Sequence, residues 1–551
     1  MKNVGFYGSA FAAAAAWVFL AHPPPGLLWM DNSWVTQQML AAATPLDAVR
    51  FFADYHTYAR PVRALEWWVA ARLLGDDPLA HHLVNGLAVA VALTTVVAIG
   101  TRLTGRRRCG LIAGMFMAVS YVTAYPLLHF PFAVQLALAL AGLASYLRAE
   151  GAGAPRWGWH AVAFPAILAA ALAHDVFLAF AVVPLLYGLI VSRAAVWRPL
   201  VYLAIIPLYR LLQSGRSALP GFSGLLVPEE PWEHIGRVAF HLATAGLPAE
   251  VLREPLLYGG AEFVRLRQLL LGPSGFLVVA LSIVPLSIAL IVALRPPVDR
   301  QTVFCLAWLA AASLPLLLPV GTPETYHLAG ALPALFIVLA RGLVRLPGRP
   351  SLVIVSALLA VWAGVHGVLR FTLFHRDVPY MAAATQTLRR VLAEPGGRVV
   401  VLFPVGQAGP HYGYMPGPNA IRRGSACFLE PVWAWDPRVP PPLPQACRRR
   451  DGVLVGPLEP DTERELSRSR RMWSHKAAGG MRQLESSSDI RHGHPGDYLR
   501  LCPNVEVETV ELRPRGSRHW LYTMPLGEDT RVFRFSLDGR PSLVAAPACG
   551  N

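Results

Sequence analysis

Residues 21–60 read AHPPPGLLWMDNSWVTQQMLAAATPLDAVRFFADYHTYAR, and their place directly after a first apolar run, residues 4–22, decides what kind of chain this is. The run is long enough to enter a bilayer, the prolines from Pro23 to Pro25 stop its helix, and Trp29 stands where an interfacial aromatic belongs. Two residues later Asp31 offers a carboxylate at the expected membrane surface, and the stretch ends in Tyr58 and Arg60, with Pro61 next. An acid and a guanidinium thus share one side of the membrane with only a loop between them. That is the equipment of a general base and a phosphate clamp.

Working outward, the whole chain has the composition of a membrane protein. Of its 551 residues 54% are hydrophobic and only 15% charged, well below the roughly 25% charged share of soluble domains. The formal charge of +15 is carried almost wholly by arginine, Lys2 and Lys476 being the only lysines. A basic chain can signal nucleic acid, but many of these arginines flank apolar runs, where they set orientation and meet anionic headgroups. Nucleic acid is therefore not an expected partner; membrane lipid is. The N-terminus resembles a signal peptide, but ten further apolar runs follow it, so it is read as a retained first helix.

Eleven apolar segments have spanning length: residues 4–22, 82–102, 110–128, 131–147, 157–173, 175–192, 197–213, 274–294, 302–320, 325–343 and 352–373. With a cytoplasmic N-terminus, the inner loops hold Arg102, Arg106 to Arg108, Arg148, Arg156, Arg193, Arg198, Arg295, Arg300, Arg341, Arg345 and Arg349. The short turns around His129, His174 and Pro323 hold no Lys or Arg, an alternation that sets the topology. An odd number of spans puts the remainder of the chain outside. Two outer loops, residues 23–81 and 214–273, carry amphipathic pieces, LDAVRFFADYH and EPWEHIGRVAFHLATAGL, suited to the membrane interface.

The expected domains are therefore a transmembrane part, residues 1–375, and an extracytoplasmic part, residues 376–551. The second is rich in arginine, proline and glycine and has strand-like runs such as RVVVLFPVG, DGVLVGPL and TRVFRFSLDG, which predict a small mixed α/β or β-rich fold. Cys427, Cys447, Cys502 and Cys549 lie in it, an even set compatible with two disulfides in any of three pairings, or with four thiols.

Residues 58–107, YARPVRALEWWVAARLLGDDPLAHHLVNGLAVAVALTTVVAIGTRLTGRR, carry a resemblance. They resemble the segment of polytopic GT-C glycosyltransferases that runs from a Tyr-Arg-Pro-Leu motif to a Tyr-His-Leu-Val-Asn start of the second span, with Arg60, Pro61, His82, Leu83, Val84 and Asn85 at the matching positions. Asp31 and Asn32 resemble the family's acidic pair after the first span, and the turns His174-Asp175 and Glu324-Thr325-Tyr326-His327 resemble two later family positions. Ala59 interrupts the first motif, Asn32 replaces a second acid, and Thr325 stands where an arginine is usual.

The resemblance implies a polytopic α-helical protein with a GT-C-like bundle of about eleven transmembrane helices, in the cell (inner) membrane. It also implies an inverting transfer of sugar from a polyprenyl-phosphate donor to an extracytoplasmic glycan, lipid or protein acceptor, with Asp31 as general base. A divalent metal stays open as a cofactor. Asp31 also suits a plain helix-cap role ahead of VTQQMLAAA. Arg60 and Arg63 are candidates for the donor phosphate, with snorkelling to lipid as the alternative. His82, His327 and Arg210 are further phosphate candidates, and Asp175 and Glu324 are candidates for acceptor binding or a second acid. Two rivals remain: an O-antigen-ligase-like transferase using a polyprenyl diphosphate, and a lipid or polysaccharide transporter without enzymatic activity.

Overall fold

The described residues of the eleven apolar segments are mainly helical in the structure, a computed structural model. It describes residues 2–25, 32–55, 60–128, 130–150, 156–192, 197–213, 231–247, 274–295, 298–317, 325–346 and 348–379, a few positions up to 390, ten short strands and position 548. In chain order the helices are α1 (Lys2–Ala21), α2 (Asn32–Ala41), α3 (Pro45–Tyr55), α4 (Pro61–Leu74), α5 (Pro78–Thr104), α6 (Arg107–Val119), α7 (Ala124–Leu128), α8 (Phe132–Glu150) and α9 (Trp157–Ala173). They continue with α10 (Val183–Tyr187), α11 (Trp197–Leu203), α12 (Ile205–Gln213), α13 (Pro231–Thr244), α14 (Gly275–Ala293), α15 (Arg300–Leu317), α16 (Leu332–Arg345) and α17 (Arg349–Thr372).

Among the described residues six helical segments are long and apolar enough to cross a membrane: Val4–Ala21, Pro78–Thr104, Phe132–Glu150, Asp175–Ser192, Gly275–Ala293 and Arg349–Arg376. A seventh arises if Arg107–Val119 and Tyr121–Leu128, bent by 70°, form one span. Of the other segments expected to span, that at 302–320 is an unbroken helix to Leu317, its last three residues lying outside the described ones, and three are shorter or interrupted. α9 has 17 residues and contains Pro165, the segment at 197–213 is divided into α11 and α12, and that at 325–343 opens with a 3-10 turn, Thr325–Gly330. Proline and close helix packing cut the hydrogen-bond ladder at places that hydropathy alone does not mark.

Each helix shows which way it faces. On α5 Leu79, Leu83, Leu87 and Val91 are exposed at i, i+4 spacing, while Asn85, Val89, Leu93 and Val96 are buried. In water such a stripe would be a liability, whereas in a bilayer it is the lipid face. On the buried side small residues let backbones approach, as helices do in membranes. Gly100 and Gly110 bring α5 and α6 together so closely that a β-carbon on Gly100 would lie 3.0 Å from Gly110 Cα.

Contacts at the helix ends agree with an up-and-down arrangement. At one end the Arg102 guanidinium donates to the Leu147 carbonyl at 2.9 Å, Arg198 approaches Glu150 at 3.7 Å, and Arg341 and Arg345 both bind Asp299. This is the end that gathers the arginines of the loops expected inside. At the opposite end lie Arg60, Asp175, His327, His22 and Arg370.

The chain divides into two compact units, one made of residues 1–25, 38–249 and 276–371, the other of residues 26–37, 250–275 and 372–551. Among the described residues the second unit has ten strands: β1 (Val399–Leu402), β2 (Ala426–Pro431), β3 (Gln445–Arg448), β4 (Gly452–Gly456), β5 (Gln483–Leu484), β6 (Tyr498–Arg500), β7 (Glu506–Leu512), β8 (Ser517–Thr523), β9 (Arg531–Ser536) and β10 (Ser542–Ala545). A mixed sheet has the order β10-β9-β1-β2-β6-β5, with β1 parallel to both β2 and β9; a second has the order β3-β4-β8-β7 and is antiparallel throughout. The backbone of Cys427 lies in the first sheet opposite Val400 and that of Cys447 in the second opposite Leu454. Cys502 and Cys549 lie outside the described residues, and so does any disulfide among the four. Cys109 and Cys305, in the helical unit, are buried free thiols.

Candidate active site

Pro61 builds the first half of the site. A proline at the first helical position restrains the residue before it to extended backbone, and Arg60 caps α4 with φ −120° and ψ 67°. Arg60 therefore leaves the helix start sideways, and Arg63 follows one turn later. Two guanidinium groups at a helix N-terminus, where the backbone dipole is already positive, call for an anion.

The second half comes from a turn of one residue. α9 ends at Ala173, His174 takes extended backbone at φ −153° and ψ 126°, and Asp175 at once opens a 3-10 segment, Asp175–Ala181. Arg60 Nη2 donates to Asp175 Oδ1 at 2.8 Å, a contact made across 115 residues of chain. His174 Nδ1 stands 3.0 Å from the same oxygen and 3.4 Å from the Val176 backbone N–H. The Arg60 side chain is 13% exposed, that of Asp175 37%. The carboxylate is thus the accessible partner in an otherwise buried wall.

Aromatic rings close that wall. The His174 ring lies 5.6 Å from that of His327 and 5.5 Å from that of Phe132, and Phe132 meets Tyr326 edge-on at 4.9 Å. Burial, followed by the nearby positive charge of Arg60, pushes His174 down to about 4, so its imidazole is neutral at physiological pH. Arg63 is buried with its guanidinium 5.1 Å from the centre of the Trp67 ring. One turn along α4, Glu66 accepts a hydrogen bond from the Gln135 side-chain amide at 2.8 Å. Burial pushes its carboxyl up to about 7, against the downward pull of that amide and of Arg63.

The sequence-derived candidates separate accordingly. Arg60, Arg63, Asp175 and His327 come together with His174, which the sequence reading noticed only as the neighbour of Asp175. His82 is buried on α5 with its ring 6.1 Å from Phe19 of α1, and no described contact joins it to Arg60 or Asp175. Arg210 is exposed on α12. Asp31 and Glu324 lie outside the described residues, as does Tyr58.

A neighbouring polar cluster was not anticipated. Arg370, buried near the end of α17, donates through Nε to His22 Nε2 at 3.1 Å, and through Nη1 to the Ser120 carbonyl at 3.0 Å and the Thr123 hydroxyl at 2.7 Å, with the Ala118 carbonyl also in contact. One turn earlier His366 accepts from the Tyr121 N–H at 2.9 Å and donates to the Thr244 carbonyl at 3.1 Å. Residues 118–123 are the break between α6 and α7, where carbonyls lack their helical partners. Arg370 supplies the missing donors and binds His22, just past the end of α1. A lone arginine inside the apolar run of residues 352–373 was the available signal.

Among the described residues no group of three or more His, Cys, Asp or Glu side chains gathers as a metal site. No protein-family model matches the chain, and no curated protein sequence matches it. Solved structures do. ArnT from Cupriavidus metallidurans bound to undecaprenyl phosphate is 14% identical with a TM-score of 0.42, the match covering 78% of this chain and 93% of that one. The arabinofuranosyltransferase AftD from Mycobacteria is 14% identical with a TM-score of 0.41, over 97% of this chain and 41% of AftD. The Archaeoglobus fulgidus oligosaccharyltransferase tethered to an acceptor peptide is 11% identical with a TM-score of 0.44, over 78% of this chain and 69% of that one. The roles of this chain's residues rest on its own side chains.

Proposed function

We propose that the protein is a GT-C-type membrane glycosyltransferase that moves a sugar, with inversion, from a polyprenyl-phosphate donor to an extracytoplasmic glycan, lipid or protein acceptor. The observation that carries this reading is the Arg60–Asp175 pair at the start of α4, beside a neutral His174.

The arrangement suits the reaction. Arg60 binds non-bridging phosphate oxygens and stabilises the charge that grows as the sugar–oxygen bond breaks. The donor's prenyl chain lies along the exposed apolar faces of the helices. Asp31 takes the proton of the acceptor hydroxyl. Asp175 is bound to Arg60 through Oδ1.

The test is direct. Purified protein is incubated with polyprenyl-phospho-sugars, polyprenyl-diphospho-sugars and acceptor glycans. Transfer from monophosphate donors is expected, with Asp31→Asn lowering turnover roughly 10²- to 10⁴-fold at unchanged melting temperature. Activity with diphosphate donors alone selects the O-antigen-ligase-like rival. A folded sample inactive with every donor refutes the reading, and lipid movement retained in Asp31→Asn selects the transporter.

A further inference from the structure

The Arg60–Asp175 contact has the form of an exchangeable pair. Its geometry is one nitrogen to one oxygen, Nη2 to Oδ1 at 2.8 Å, rather than the two parallel bonds a guanidinium makes with a well-matched carboxylate. The same Oδ1 is shared with His174 Nδ1 at 3.0 Å, so the oxygen bound to Arg60 keeps a second partner if Arg60 leaves. The carboxylate is also the more exposed member, and a solvated anion loses less when its cation departs. A phosphate, by contrast, can engage a guanidinium through two oxygens at once.

We propose that Asp175 is a resident competitor for Arg60: it holds the guanidinium while the site is empty, yields it to the donor phosphate, and takes it back as the prenyl phosphate leaves. This rests on the donor reading above. The competition matters most after transfer. Breaking the sugar–oxygen bond converts a singly charged phosphodiester into a prenyl phosphate of about −1.5 to −2 charge, which Arg60 grips more tightly than the donor. Without a rival anion the product would stay. Asp175, tethered one side chain away at high effective concentration, lowers that grip and speeds release.

The experiment measures binding of a polyprenyl monophosphate to full-length protein in detergent, together with steady-state turnover, for wild type, Asp175→Asn, Asp175→Ser, Arg60→Gln and the Arg60→Gln/Asp175→Asn double variant. Removing the carboxylate is expected to tighten binding roughly 2- to 5-fold, the range of a partly exposed ion pair, and to lower turnover as product release slows. The gain disappears in the double variant, because Arg60 is its route. Melting temperatures identify any variant that fails to fold, and the two replacements of Asp175 guard against one failing. Saturable binding in wild type that both Asp175 variants leave unchanged or weaken overturns the competitor role alone. No saturable binding in any folded form overturns the donor reading and the competitor role with it.

Discussion

Replacing Arg370 with methionine tests whether a buried cation holds the broken span together. The guanidinium reaches four acceptors: the imidazole of His22, the carbonyls of Ala118 and Ser120, and the hydroxyl of Thr123. At about 1.5–3 kcal/mol for a charged hydrogen bond, losing all four costs roughly 6–12 kcal/mol before any acceptor finds another donor. Against this stands the relief of not burying a guanidinium that no described carboxylate contacts, about 3–5 kcal/mol. The acceptors are partly covered without it, since the Ser120 carbonyl also receives the Thr123 N–H at 3.2 Å and the Ala118 carbonyl the Trp17 indole N–H at 3.3 Å. The balance is a net loss of about 2–4 kcal/mol, read as a lower midpoint in equilibrium unfolding in bicelles. Arg370→Lys keeps the charge but reaches fewer acceptors and should fall between. A methionine variant as stable as wild type, or more so, would refute the reasoning, because burial of the charge would then outweigh everything it binds.

Two further outcomes follow from the same packing. Glu66, with its folded pKa raised from 4.5 to about 7, stabilises fully below pH 4.5 and loses that contribution, at most about 3 kcal/mol, as pH rises through 7. His174, lowered from 6.5 to about 4, acts in the opposite sense: its contribution is present above pH 6.5 and is lost as pH falls through 4. Glu66→Gln should remove the fall in melting temperature that Glu66 contributes between pH 4.5 and 7 and leave the curve unchanged in shape outside that window; curves that run parallel from pH 4 to 8 would contradict the assignment. Gly110→Val would place a β-carbon against the Val97 carbonyl oxygen and Thr101, so α5 and α6 must separate, at a cost of about 1–3 kcal/mol. An unchanged melting temperature in detergent would show that the two helices are not pressed together there.

Much of the helical unit was legible along the chain because bilayer solvation acts on consecutive residues. Apolar length, proline stops and arginine-flanked loops are local properties, and the described residues of the apolar segments are mainly helical. Continuity was less legible. α9, the pair α11 and α12, and the segment opening with Thr325–Gly330 are shorter or interrupted, since where a ladder breaks depends on what a neighbouring helix supplies. Arg370 shows why: the break at Ser120 is capped by a side chain about 250 residues away.

The candidate site divides along the same line. Arg60, Arg63, Asp175 and His327 stood out as charged or titratable groups at the ends of apolar runs, where burial is costly and function is the common compensation. That Arg60 pairs with Asp175, that His174 is a neutral third member, and that His82 turns instead toward Phe19 are facts of packing. By itself the sequence determined that the chain lives in a membrane, which residues form its helices, and which polar groups lie near one end of them. Only the tertiary structure decided which of those groups meet, because hydrophobicity is a sum over neighbours in the chain while a hydrogen bond depends on the meeting of atoms far apart in it.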